Sequence, residues 1–132
     1  MAGSKSNYLE LELLDHVLGN QAYSAPANVY IALYTTAPTD AGGGVEVTGG
    51  SYARVTVTNN LTNWPSANPK LNGVAFTFTQ ATADWGTVLA FSIMDALTVG
   101  NFLYWGDLTA SKSVENGDTA EFAINGITIT ED

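Results

Sequence analysis

The sequence predicts a mainly β fold: an antiparallel β-sandwich of jelly-roll type with one N-terminal amphipathic helix. Three observations carry this. After Pro26 the apolar residues recur at period two rather than 3.6. Clusters of Gly, Pro, Asn and Asp divide residues 28–130 into roughly six to eight short runs, spaced about 10 to 15 residues apart. Only residues 7–18 have helical spacing, so there are no crossover helices with which to build a parallel sheet. At 132 residues the chain is expected to form a single domain over 1–132.

In the helix, Tyr8, Leu11, Leu14, Val17 and Leu18 recur at helical spacing, with Glu10, Glu12, Asp15 and His16 between them. Asn7 followed by Glu10 has the form of a capping box, and Gly19 is placed to end the helix in a left-handed conformation. Leu9 and Leu13 widen the apolar surface beyond one stripe. We therefore expect Leu11, Leu14 and Leu18 to face the sheet while Leu9 and Leu13 face a neighbouring subunit.

The strands follow in order. Val29, Ile31 and Leu33 alternate with Tyr30, Ala32 and Tyr34, so neither face is polar and a central strand is expected. A glycine-rich run from Ala41 to Gly50 leads to a strand from Tyr52 to Thr58. Asn59 to Gly73 reads as a long loop, anchored by Trp64. Val74 to Thr79, Val88 to Met94 and Phe102 to Trp105 are the next strands. Glu121 to Ile124 and Ile127 to Thr130, joined by Asn125-Gly126, predict a closing hairpin with a type I′ turn.

Charge excludes several functions. Lys5, Arg54, Lys70 and Lys112 stand against thirteen acidic residues, a net charge of −9, so neither nucleic acid nor an anionic membrane surface is an expected partner. There is no cysteine, no run long and apolar enough to span a bilayer and no apolar leader, and we expect a soluble, unprocessed product. His16 is the only histidine, so a metal site would lack a second imidazole and any Ser-His-Asp triad would have to use it, with no Gly-x-Ser-x-Gly elbow present. Gly42 to Gly44 lack the Lys and Ser or Thr of a phosphate loop and read as a flexible or hairpin connection. Asp107, Glu115 and Asp118 have no calcium-loop spacing. No cofactor, metal site or catalytic residue is predicted, and no enzyme. Trp64, Trp85 and Trp105 could stack on sugars, but Trp85 and Trp105 precede glycines at strand ends, where a ring closes the end of a core.

Several segments carry a resemblance: Tyr8 to Gly19 (YLELELLDHVLG), Val29 to Asp40 (VYIALYTTAPTD), Gly49 to Val55 (GGSYARV), Asn63-Trp64-Pro65, Ala83 to Gly86 (ADWG) and Leu103 to Gly106 (LYWG). Together they resemble a family of small tailed-bacteriophage virion structural proteins, often labelled tail fibre or structural protein. The resemblance runs from Tyr8 to Thr130 and implies no catalytic residues. It implies location in the virion after assembly in the host cytoplasm. Size and lack of chemistry then suggest a capsid decoration or cement protein, held by apolar and hydrogen-bonded contacts; the alternatives are a small tail, fibre or adaptor subunit and a carbohydrate-binding module. Expected partners are the major capsid protein or other virion proteins, and further copies in a homo-oligomer. Tyr8, Leu9, Leu13 and Trp64 are the candidate assembly interface.

Overall fold

The computed structural model describes residues 2–131; Met1 and Asp132, the ends of the expected domain, lie outside the described residues. In chain order the elements are β1 (Ala2–Lys5), α1 (Asn7–Leu18), β2 (Asn28–Thr36), β3 (Val45–Glu46), β4 (Val55–Thr58), β5 (Lys70–Leu71), β6 (Phe76–Thr77), β7 (Gly86–Met94), β8 (Phe102–Val114), β9 (Glu121–Phe122) and β10 (Thr128–Ile129). The fold is mainly β with one helix near the N-terminus, as the periodicity predicts, and its connectivity is compatible with a jelly roll.

The spine is the antiparallel trio β2, β7 and β8. Period-two alternation gives β2 two apolar faces. Val29, Ile31 and Leu33 enter the larger core, while Ala32 and Tyr34 join Ala90 and Met94 in a smaller cluster on the reverse side. Covering both faces makes β2 central. Its far edge is shared by β4 along residues 28–31 and β3 along 34–36. Beyond β8 the sheet continues through β1, β10 and β5, with β1 and β10 parallel. The second sheet is only the ribbon β6–β9. It closes the larger core with phenylalanines, Phe122 meeting Phe91 of β7 at 5.8 Å between ring centres.

The closing hairpin does not form. β9 pairs with β6, and β10 pairs with β1 and β5 of the main sheet. The cause is Asn72, whose side chain is wholly buried. Its Nδ2 donates to the carbonyls of Val74 (2.9 Å) and Ala123 (2.8 Å), and its Oδ1 accepts from the Ile127 amide at 2.8 Å. Its own carbonyl accepts from Asn125 N at 2.9 Å. The Ile127 amide, which a hairpin would pair with Ile124 across the turn, is thus spent on Asn72. Asn125 has a positive φ of 63°, but Gly126 does not, so the turn is not type I′.

Other bounds shift for physical reasons. Tyr52 lies outside β4 because its ring packs edge-on against Trp85, at 5.3 Å. Its hydroxyl accepts from Leu33 N (3.0 Å) and donates to Glu46 (2.7 Å). Glu46 also takes a two-pronged ion pair from Arg54, at 2.8 and 2.9 Å, while Arg54 Nη1 donates to the carbonyls of Ala96 (2.7 Å) and Val99 (2.8 Å). This ties the loop after β7 to β3 and β4, and holds Val99 at φ +56°, a costly conformation for a β-branched residue. β8 runs past Trp105 to Val114, so Trp105 sits within a strand, half-buried, with Nε1 donating to Asp40 at 2.7 Å. Trp85 does close an end of the core, and Gly50 is a glycine because a Cβ there would lie 2.8 Å from the Trp85 indole nitrogen.

Two expectations follow. Asn72→Ala leaves the Val74 carbonyl and the Ile127 amide unpaired and removes one of the two donors to Ala123 O, and should lower unfolding free energy by about 3 kcal/mol; Asn59→Ala, which removes one exposed bond to Pro26, should cost under about 1 kcal/mol. Urea denaturation of both variants measures the contrast. Burial, and then the Glu131 carboxylate, push the Tyr104 hydroxyl up to about 12, and burial raises Tyr52 as well. A tyrosine in the unfolded chain ionises near pH 10, so the folded state keeps protons that the unfolded state sheds. The urea midpoint should therefore hold up to about pH 10 and fall between about pH 10 and 12, with Tyr104→Phe reducing the slope.

Candidate functional site

The helix is set by its first turn. Ser6, not Asn7, is the N-cap: its Oγ accepts from Leu9 N at 3.2 Å and donates to the Phe102 carbonyl. Ser6 N donates to Leu103 O at 3.0 Å, and Asn7 N to Asp40 O at 2.8 Å. The cap is therefore bolted to the start of β8, which fixes how the helix is rotated. At the other end Gly19 has φ −134° and is not left-handed; Asn20 takes the positive φ instead. Glycine at 19 serves close approach, since a Cβ would meet Asp15 O at 2.8 Å.

That rotation reverses the expected faces. Leu9 is 4% exposed and packs into the domain's own core, with Tyr8 and Leu13 half-buried beside it. Leu11, Leu14, Val17 and Leu18 are 58, 57, 73 and 81% exposed. Both stripes are leucine-rich, and periodicity alone favours the longer one. Position 6 decides otherwise, because anchoring Ser6 to Phe102 and Leu103 turns Leu9 and Leu13 toward the sheet.

Three of the four predicted interface residues come together nonetheless. Leu9, Leu13 and Trp64 line one groove of about 540 Å³, with Tyr23, Leu103 and Tyr104 among its other walls. Trp64 is 6% exposed and packs at a tilt against Phe76, 5.3 Å between ring centres, so it anchors the 59–73 loop as its position predicts. Tyr8 flanks this group without lining the groove. The outward leucines are what the sequence reading assigned to the wrong side. Their signal was available as the spacing 11, 14, 18 with acidic residues at 10 and 15.

The polar residues weighed for chemistry are engaged in structure. His16 is exposed, its Nδ1 3.0 Å from Gln21 O just past the helix end. Gly42, Gly43 and Gly44 all have positive φ, and a Cβ on Gly44 would stand 2.6 Å from Thr36 O; the run is a tight turn after β2. Among the described residues no group of three or more His, Asp or Glu side chains could hold a metal ion.

A family model described as podophage GP4 fiber I protein gp80 matches residues 4–130, nearly the whole chain. No curated protein matches it.

The two helix faces make opposite predictions for stability. Leu9→Ala should cost about 2 to 5 kcal/mol through the cavity it leaves. Leu14→Asp and Leu18→Asp should leave the thermal midpoint within about 2 °C of the parent, since neither buries its new charge. Thermal melts followed by circular dichroism separate the two cases.

Proposed function

The chain belongs to the family of the podophage GP4 fiber I protein gp80 and is a phage virion structural protein; from that premise we propose that it is a subunit of the phage tail fibre, built into the particle through the outward face of α1. The observation that carries this reading is the exposure of Leu11, Leu14, Val17 and Leu18 on a helix whose other side is already packed. Soluble proteins rarely leave such a patch uncovered unless it is a contact surface. The family's description favours the fibre over capsid decoration, the role that size and composition alone suggest. Attachment rests chiefly on apolar burial and backbone hydrogen bonds, because exposed ion pairs contribute only up to about 1 kcal/mol each.

Separating heads from tails of disrupted particles tests this directly. The protein should run with the tails, at a low copy number set by tail symmetry, roughly 3 to 12 per particle. Recovery with the heads in hundreds of copies would return it to decoration. Particles grown with the Leu14→Asp, Leu18→Asp double variant should lack the subunit, although the isolated variant is folded.

A further inference from the structure

We propose that the outward face of α1 is one half of a short helix pair whose other half is a helix of a different virion protein, with an apolar seam flanked on both sides by lysine or arginine. This rests on the reading that the face is an assembly contact, and it names the chemistry of the partner.

Residues 10–18 fit a heptad. Leu11 occupies position a, Leu14 d and Leu18 the next a, the seam along which two helices interlock. Glu10 then occupies g and Asp15 e, the positions that border the seam and select partners by charge. The seam residues are the exposed ones, and Leu9 and Leu13 lie on the opposite side, against the domain. Glu10 and Asp15 are themselves exposed, and neither is in an ion pair among the described residues. Each border of the seam thus carries one uncompensated acid, Glu10 alongside Val17 at g and Asp15 alongside Tyr8 at e.

A second copy of the chain fits this face poorly in either orientation. In a parallel pair a g position meets the e position five residues on in the partner, which sets Glu10 against Asp15. In an antiparallel pair like positions meet, so each acid meets either the same acid or the uncharged Val17 or Tyr8 of the other copy, and never a cation. Each copy also brings a net charge of −9. A partner with Lys or Arg at its own e and g positions gives each of these acids a cation to face. The leucines then supply the affinity, and the acidic borders supply the choice of partner.

The test uses the folded full chain and two synthetic helical peptides with the same leucine seam, one with Lys at e and g, the other with Glu. By fluorescence anisotropy the Lys peptide should bind at least tenfold more tightly at about 0.05 M salt, and the ratio should shrink toward one at about 1 M, where the Debye length is about 3 Å. Leu14→Asp should abolish binding of the Lys peptide, which excludes diffuse attraction to an acidic surface. The Glu10→Lys, Asp15→Lys double variant should reverse the preference. Equal affinity for the two peptides, or no binding of either, overturns the proposal. Self-association in sedimentation equilibrium that Leu14→Asp removes also overturns it, because the occupant is then a second copy. If the double aspartate variant still enters particles, the assembly face itself is wrong; if it is excluded while the peptides are not discriminated, only the partner's chemistry is wrong.

Discussion

One buried amide organises the end of this chain. Asn72 takes up three backbone partners with its side chain and a fourth with its carbonyl, and one of them, the Ile127 amide, is a group that a simple hairpin would have paired with Ile124. By holding 123–127 against 72–74 it sends β9 to the ribbon and β10 to the main sheet. The larger core exists because of that division. Phe122 reaches Phe91 from one side, while Ile127 and Ile129 enter from the other. A buried polar residue is tolerable on these terms, since every hydrogen-bonding atom of its side chain has a partner.

Few charges are involved elsewhere, and those few are placed with economy. Arg54 joins two distant segments to its own, β3 through Glu46 and the loop after β7 through the carbonyls of Ala96 and Val99. Its guanidinium suits the task because a planar fork can meet a carboxylate two-pronged and still reach carbonyls, which an ammonium cannot do. Lys5 pairs with Glu131 near the two chain ends. Most of the thirteen acids remain at the surface, so the electrostatic character of the molecule belongs to its exterior and its partners.

The sequence was most legible where burial imposes a period. The helix, β2, β7 and the start of β8 all stand where their apolar spacing puts them. The short strands β1, β3 and β5 were not legible. β1 is Ala-Gly-Ser-Lys, without alternation, and is extended only because β8 and β10 receive it on either side. The second half of β8 is largely exposed, so nothing selects an apolar pattern there. The helix shows the same limit at the site. Periodicity favours the longer of its two leucine stripes for the core, and the choice is made the other way by Ser6 contacting residues nearly a hundred positions away. Long-range anchors of this kind leave no local trace. Family resemblance supplied the phage context that residue chemistry could not.

The bolted cap has a mechanical consequence. β1 leads directly into Ser6 and α1, and lies between β8 and β10. A tensile load applied to the helix is passed through Ser6 to a strand pulled along its own axis. Antiparallel ladder bonds lie across that axis, so those between β1 and β8 are loaded in shear and share the force, whereas a strand peeled from one end gives up its bonds in sequence. The cap's bonds to Phe102 and Leu103 carry part of the same load straight into β8, and from there to β7 and β2. A subunit gripped by α1 is thus gripped at the start of its force-bearing sheet.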